Sequence, residues 1–205
     1  MKALQPVLLS LFLVVSAFPL RGDIFSFRAD SMTGGRATGR EITVLTGNAE
    51  VQSDKLFLRA DRIEIQGNDN RFLDCIGNVF GREDEKDIVF RADRIRYDRT
   101  LKIARLEGNS TLEDRKNELL ARGRFIEYDD EQEIAIFQIS VRLFKDNLVC
   151  RSEYAVYHRI EKTLALTGFP VVYKKDDEFR ADRIRVDLDT DDVVMEGDVR
   201  GSLKD

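Results

Sequence analysis

Phe90-Arg91-Ala92-Asp93-Arg94-Ile95-Arg96-Tyr97 is the stretch that decides the fold, because its opening phrase recurs along the whole chain. It returns as Phe27-Arg28-Ala29-Asp30, Leu58-Arg59-Ala60-Asp61 and Phe179-Arg180-Ala181-Asp182, with weaker copies at Ala121-Arg122-Gly123-Arg124 and Cys150-Arg151-Ser152-Glu153. The fourth positions are 31, 32, 31, 29 and 29 residues apart. A second phrase follows each first one: Leu45-Thr46-Gly47-Asn48, Cys75-Ile76-Gly77-Asn78, Leu106-Glu107-Gly108-Asn109, Phe137-Gln138-Ile139-Ser140, Leu166-Thr167-Gly168-Phe169 and Met195-Glu196-Gly197-Asp198. Two phrases locked in phase over six copies define a repeat architecture.

One copy, Ile88 to Asn117, reads as strand, polar turn (Asp98-Arg99-Thr100), strand and polar loop. No segment of ten or more residues holds a helical period, so almost no helix is expected. The position two before each glycine column is apolar throughout and should point inward: Leu45, Cys75, Leu106, Phe137, Leu166 and Met195. In the first strand the apolar parity slips by one beside the Asp, before Ile63, Ile95, Ile126 and Ile184. A β-bulge does this, and each first strand is expected to bend at its Asp. The expected fold is all-β: a bent, open antiparallel sheet of six two-strand repeats, each of about 30 residues.

The Arg column, Arg28, Arg59, Arg91, Arg122, Arg151 and Arg180, shares a face with Asp30, Asp61, Asp93, Glu153 and Asp182. It reads as an Arg/Asp ladder on the outer surface rather than a track for an anionic ligand.

Residues 1–22 are a different kind of sequence. Lys2 precedes an apolar run, Val7 to Phe18, broken only by Ser10 and Ser16. The run is too short to span a bilayer, which needs about 20 residues. It fits the core of a signal peptide cut after Ala17 or Gly22, which leaves one domain over residues 23–205 and an exported protein. Cleavage at Gly22 leaves 31 basic against 38 acidic residues, a net charge of −7, with no general attraction to nucleic acid. Export permits a disulfide between Cys75 and Cys150, but they sit in copies two and five and should lie too far apart.

No catalytic constellation is found. The acids recur once per copy, in register, and read as scaffold. Asp187, Asp189 and Asp191 have the opening spacing of a calcium loop, yet Asp192 stands where its glycine is required. The lone His158 has no evident metal partners. No enzyme activity, metal or cofactor is expected.

Phe57 to Ile63 with Gly77-Asn78-Val79, Phe90 to Tyr97 with Gly108-Asn109, and Phe179 to Ile184 with Gly197-Asp198-Val199 resemble the OstA-like (LptA) family of periplasmic lipopolysaccharide-transport proteins. The resemblance covers residues 24–201; Arg124, Glu153 and Ile139 depart from its pattern. It implies a bent β-jellyroll, open at one side, with lipopolysaccharide or a related glycolipid in its apolar interior. It also implies head-to-tail self-assembly, with an inner-membrane adaptor and an outer-membrane translocon as the other partners. The candidate lipid-binding groove is Leu45, Ile63, Ile95, Leu106, Ile126, Phe137, Leu166, Ile184 and Met195. The candidate edge strands carry Phe27, Val193, Met195 and Val199. Two alternatives stay open: a membrane-anchored, LptC-like adaptor of the same pathway that keeps its N-terminal apolar run, and a polymerising structural β-solenoid without lipid cargo.

Overall fold

The computed structural model describes residues 26–37 and 40–204. The leader expected over residues 1–22 lies outside them. The strands run, in chain order, β1 (Ser26–Arg28), β2 (Ser31–Ala37), β3 (Arg40–Gln52), β4 (Leu56–Gln66), β5 (Phe72–Glu83), β6 (Ile88–Asp98), β7 (Ile103–Asp114), β8 (Leu119–Asp129), β9 (Ile134–Lys145), β10 (Leu148–His158), β11 (Thr163–Thr167), β12 (Val171–Lys174), β13 (Asp177–Arg180), β14 (Arg183–Asp187), β15 (Val193–Glu196) and β16 (Arg200–Ser202). The only helical element among the described residues is a 3-10 turn, Asn68–Asn70. All strands join one antiparallel sheet, and β3 to β10 each pair with the next in sequence. The fold is therefore the all-β, open meander that the repeats predict.

Every long strand is broken in the middle. The register between β5 and β6 jumps from Ile76↔Arg94 to Val79↔Ala92, so Gly77 and Asn78 face Asp93 alone. The same jump occurs at Gly47-Asn48 and at Gly108-Asn109. The extra residue lies in the glycine strand, opposite the Asp. This corrects the expectation that the first strand carries the bulge. Gly77 has φ 78° and Asn78 φ 47°, left-handed conformations that glycine and asparagine adopt most cheaply. The parity slip read in the first strand is present: Leu58 and Ala60 are buried, Asp61 and Arg62 exposed, and Ile63 and Ile65 buried again.

The bulge column divides the sheet into two walls. On one wall a row of directly paired residues crosses the sheet: Leu45, Ile63, Cys75, Ile95, Leu106, Ile126, Phe137, Ala155, Leu166, Ile184 and Met195. On the other runs Phe27, Val51, Leu58, Gly81, Phe90, Leu112, Ala121, Leu143, Cys150, Val172, Phe179 and Gly201. Successive members lie one rung apart, about 4.8 Å. The walls fold toward each other over one apolar core, and the Phe90 and Tyr128 rings meet across it with centroids 5.5 Å apart. Cys75 and Cys150 stand on opposite walls, on β5 and β10, and both are free and buried.

The outer face corrects the expected Arg/Asp ladder. Arg59 and Arg91 lie over the Phe80 ring, at 5.6 and 5.3 Å, Arg122 over Phe144, and Arg151 over Tyr173. Arg28 pairs with Glu50 at 3.3 Å and Arg180 with Glu178. The acids turn instead to the next bulge: Asn48, Asn78 and Asn109 donate their side-chain amides to Asp30, Asp61 and Asp93. An aromatic one rung away gives a flat guanidinium both contact area and an attractive ring face, which a short Asp does not.

Acids also close the turns. Asp98 accepts N–H bonds from Thr100 and Leu101, Asp129 from Glu131 and Gln132, and Asp187 from Asp189 and Thr190. The calcium-like spacing at Asp187 thus belongs to a turn whose first acid is occupied by backbone N–H groups.

Candidate functional site

Between the walls, toward the N-terminal half, lies a cavity of about 600 Å³, within the range of small-molecule pockets. Val51, Leu58, Leu73, Phe90, Ile95, Ala104 and Tyr128 make its buried surface. Lys55, Lys86, Arg99 and Lys102, with Asp54, Glu83, Glu85, Asp130 and Glu131, stand round it. An apolar floor with a charged rim suits a molecule that is greasy at one end and charged at the other. Tyr128 lines this cavity, and its hydroxyl is buried with no protein hydrogen-bond partner. Burial pushes its pKa up, so it remains a neutral donor.

The structure spreads the nine candidate groove residues along one wall row. Eight of them, Leu45, Ile63, Ile95, Leu106, Ile126, Phe137, Leu166 and Ile184, are at most 2% exposed and pack into the core. Met195 is half-buried against the same core. Only Ile95 of the nine lines the cavity. The row reading missed the lining residues Val51, Leu58 and Phe90, which belong to the opposite wall. The apolar column that opens each first strand, with Phe27, Leu58 and Phe90, was the signal that could have found them.

The outer strands of the sheet come from the two ends of the described chain. At the N-terminal side β1 and β2 pair only with β3; at the C-terminal side β15 pairs only with β14, and β16 only with β13. Phe27 and Val199 are about half exposed, while Val193 and Met195 are half-buried. Both outer strands thus present a row of unpaired backbone groups, which can accept another strand.

Beyond the cavity the mouth is closed by ions. Lys86 Nζ lies 2.7 Å from Asp130 Oδ1 and 3.5 Å from Glu133 Oε1. Arg159 pairs with Glu133 and donates to the Lys86 carbonyl at 2.9 Å. Its Nε stands 2.8 Å from Asp114 Oδ2, an ion contact off the angle of a hydrogen bond. Tyr157 donates to the same Asp114 oxygen at 2.9 Å, and Asn117 braces both. Lys86, Asp114 and Asn117 come from turns at one end of the strands; Asp130, Glu133, Tyr157 and Arg159 come from the other end. The cluster therefore ties the two walls together.

Fold and site together define an open β-trough, with an apolar interior, a charged mouth and two unsealed sheet edges. The chain belongs to the OstA-like family, whose model matches residues 22–182. Among solved structures it is similar to LptH from Pseudomonas aeruginosa, described as the LptA-homologous periplasmic component of the conserved lipopolysaccharide transport device. That similarity is 10% in identity over 89% of this chain and 96% of that one, with a TM-score of 0.27. No curated protein matches. No helix among the described residues is long and apolar enough to cross a membrane.

Proposed function

We propose that the protein is a periplasmic carrier that holds the acyl chains of lipopolysaccharide or a related glycolipid between its two walls and passes them from the inner toward the outer membrane. The observation that carries this reading is the cavity: an apolar floor of both walls and a cationic and acidic rim. An acyl chain entering it leaves water at a gain of about 0.8 kcal/mol per CH₂. Lys55 or Lys102 would meet an anionic headgroup. No bond in the lipid is made or broken. The cavity also favours this reading over a solenoid without cargo, which has no use for an unfilled interior.

Copies join head to tail, the Ser26–Ala37 edge of one receiving the Val193–Ser202 edge of the next, since unlike edges propagate rather than close. The inner-membrane adaptor and outer-membrane translocon would meet the two ends of such an assembly. The test is a photo-crosslinker placed in turn at Ile95 and, on the outer face, at Phe144, in mature protein purified from cells that make lipopolysaccharide. Lipid adducts at Ile95 and none at Phe144 are expected; equal labelling, or none at either, overturns the reading. An intact N-terminus in the mass spectrum of the exported protein would favour the anchored adaptor.

A further inference from the structure

We propose that the ion cluster of Lys86, Asp114, Asp130, Glu133 and Arg159 is a gate across the trough, which parts to let an acyl chain move between the cavity and the C-terminal edge. This rests on the lipid-carrying reading of the interior.

Three observations place the gate. Lys86 and Asp130 belong to both the cavity lining and the cluster, so the cluster forms the cavity's inner end. Most of its contacts run between opposite walls, from partners far apart in sequence: Lys86 to Asp130 and Glu133, and Arg159 to Asp114 and the Lys86 carbonyl; the Arg159–Glu133 pair lies within one wall. Its groups are largely dry, the side chains of Asp114 and Arg159 being 0% and 11% exposed. Further along, the mouth is crossed by the more exposed pair Lys174 and Asp191, at 4.0 Å.

The chemistry of the seam is what makes it a gate. Elsewhere the walls meet through Leu, Ile, Val and Phe, and prising such a seam apart exposes apolar surface to water. Charges that separate are rehydrated, and this offsets much of the pairing lost, because a buried ion pair gives little net stability over its solvated partners. An ionic seam thus holds the walls in register yet opens at lower cost than an apolar one of the same area. The bulge column, where each strand already bends, supplies the hinge line.

The test uses mature protein exposed to purified lipopolysaccharide, with the photo-crosslinker at Ile95 in the cavity or at Met195 beyond the gate. The triple substitution Lys86→Met, Asp130→Leu and Glu133→Leu makes the seam apolar and leaves the Arg159–Asp114 pair in place. Adducts at Ile95 should persist, and adducts at Met195 should fall about tenfold, the factor set by 1.4 kcal/mol of added opening cost. Unchanged Met195 labelling beside retained Ile95 labelling overturns the gate. Loss of Ile95 labelling in the unsubstituted protein overturns the lipid reading itself, and the gate with it. Lys86→Ala acts in the opposite direction and does not depend on the triple variant folding. It should raise Met195 labelling, and no rise overturns the gate.

Discussion

The carboxylate of Asp61 occupies the space in which a side chain on Gly77 would stand, and it accepts the Asn78 side-chain amide at 2.9 Å. The same fit is repeated between Asp30 and Gly47, Asp93 and Gly108, and Asp182 and Gly197. In four of the six copies the bend of the trough is therefore a packed joint between the two phrases that recur in the sequence.

Replacing Gly77 with Ala should strain this joint twice, through φ 78° and through collision with Asp61. We expect a loss of about 1–3 kcal/mol in chemical denaturation, the usual scale for a residue held in a disfavoured conformation. The double variant Gly77→Ala with Asp61→Ala should recover the part due to the collision and leave the part due to φ.

Arg71 holds Asp98 with two guanidinium nitrogens, at 2.7 to 3.2 Å, and lowers its pKa to about 2 from the ordinary 3.8. The folded state thus binds this proton less readily than the unfolded chain. Its contribution to stability is full above about pH 4 and is lost as the pH falls through about 2. Asp98→Asn should flatten the pH dependence of unfolding across that window and leave its shape at neutral pH unchanged.

Burial pushes the Cys150 thiol up to about 12 and Cys75 higher still. Neither forms thiolate at neutral pH, and neither is within reach of the other. Both should resist thiol-specific reagents in the native protein and react together on unfolding, with no disulfide in the intact mass.

Ala104 lines the cavity and belongs to the buried core. Ala104→Trp should lower stability in chemical denaturation by about 1–3 kcal/mol, because it overfills a buried position beside the cavity. It should sharply lower lipopolysaccharide co-purification. Unchanged lipid content would mean that cargo lies elsewhere.

The strands and their inward columns were legible because each repeat writes the same short-range physics six times. The two-strand reading of six copies did not anticipate the shorter pieces into which the strands divide at the chain's two ends, sixteen strands in all. Alternation fixes which side of a strand is apolar, and the parity slip marks the bend. Copies four and five show the limit. Ile139 and Ser140 stand where a glycine and an asparagine are expected, yet they take φ 65° and 57° because the flanking bulges impose the register. Phe169 takes an asparagine position with its ring 90% exposed, and nothing in the structure explains that choice. Glu153 turns the other way, accepting the Ser140 N–H of the preceding bulge at 3.1 Å.

By itself the sequence determined an all-β stack of six bent hairpins, an apolar inside and two open edges, since these depend on neighbours in the chain or on the next copy. Only the tertiary structure decided where the interior is filled and where it is hollow, and which charges meet across the mouth. Lys86 and Arg159 sit in turns, 73 residues apart, where no periodicity constrains them. Their meeting depends on how far the sheet curls, a sum of many small bends that no single repeat encodes.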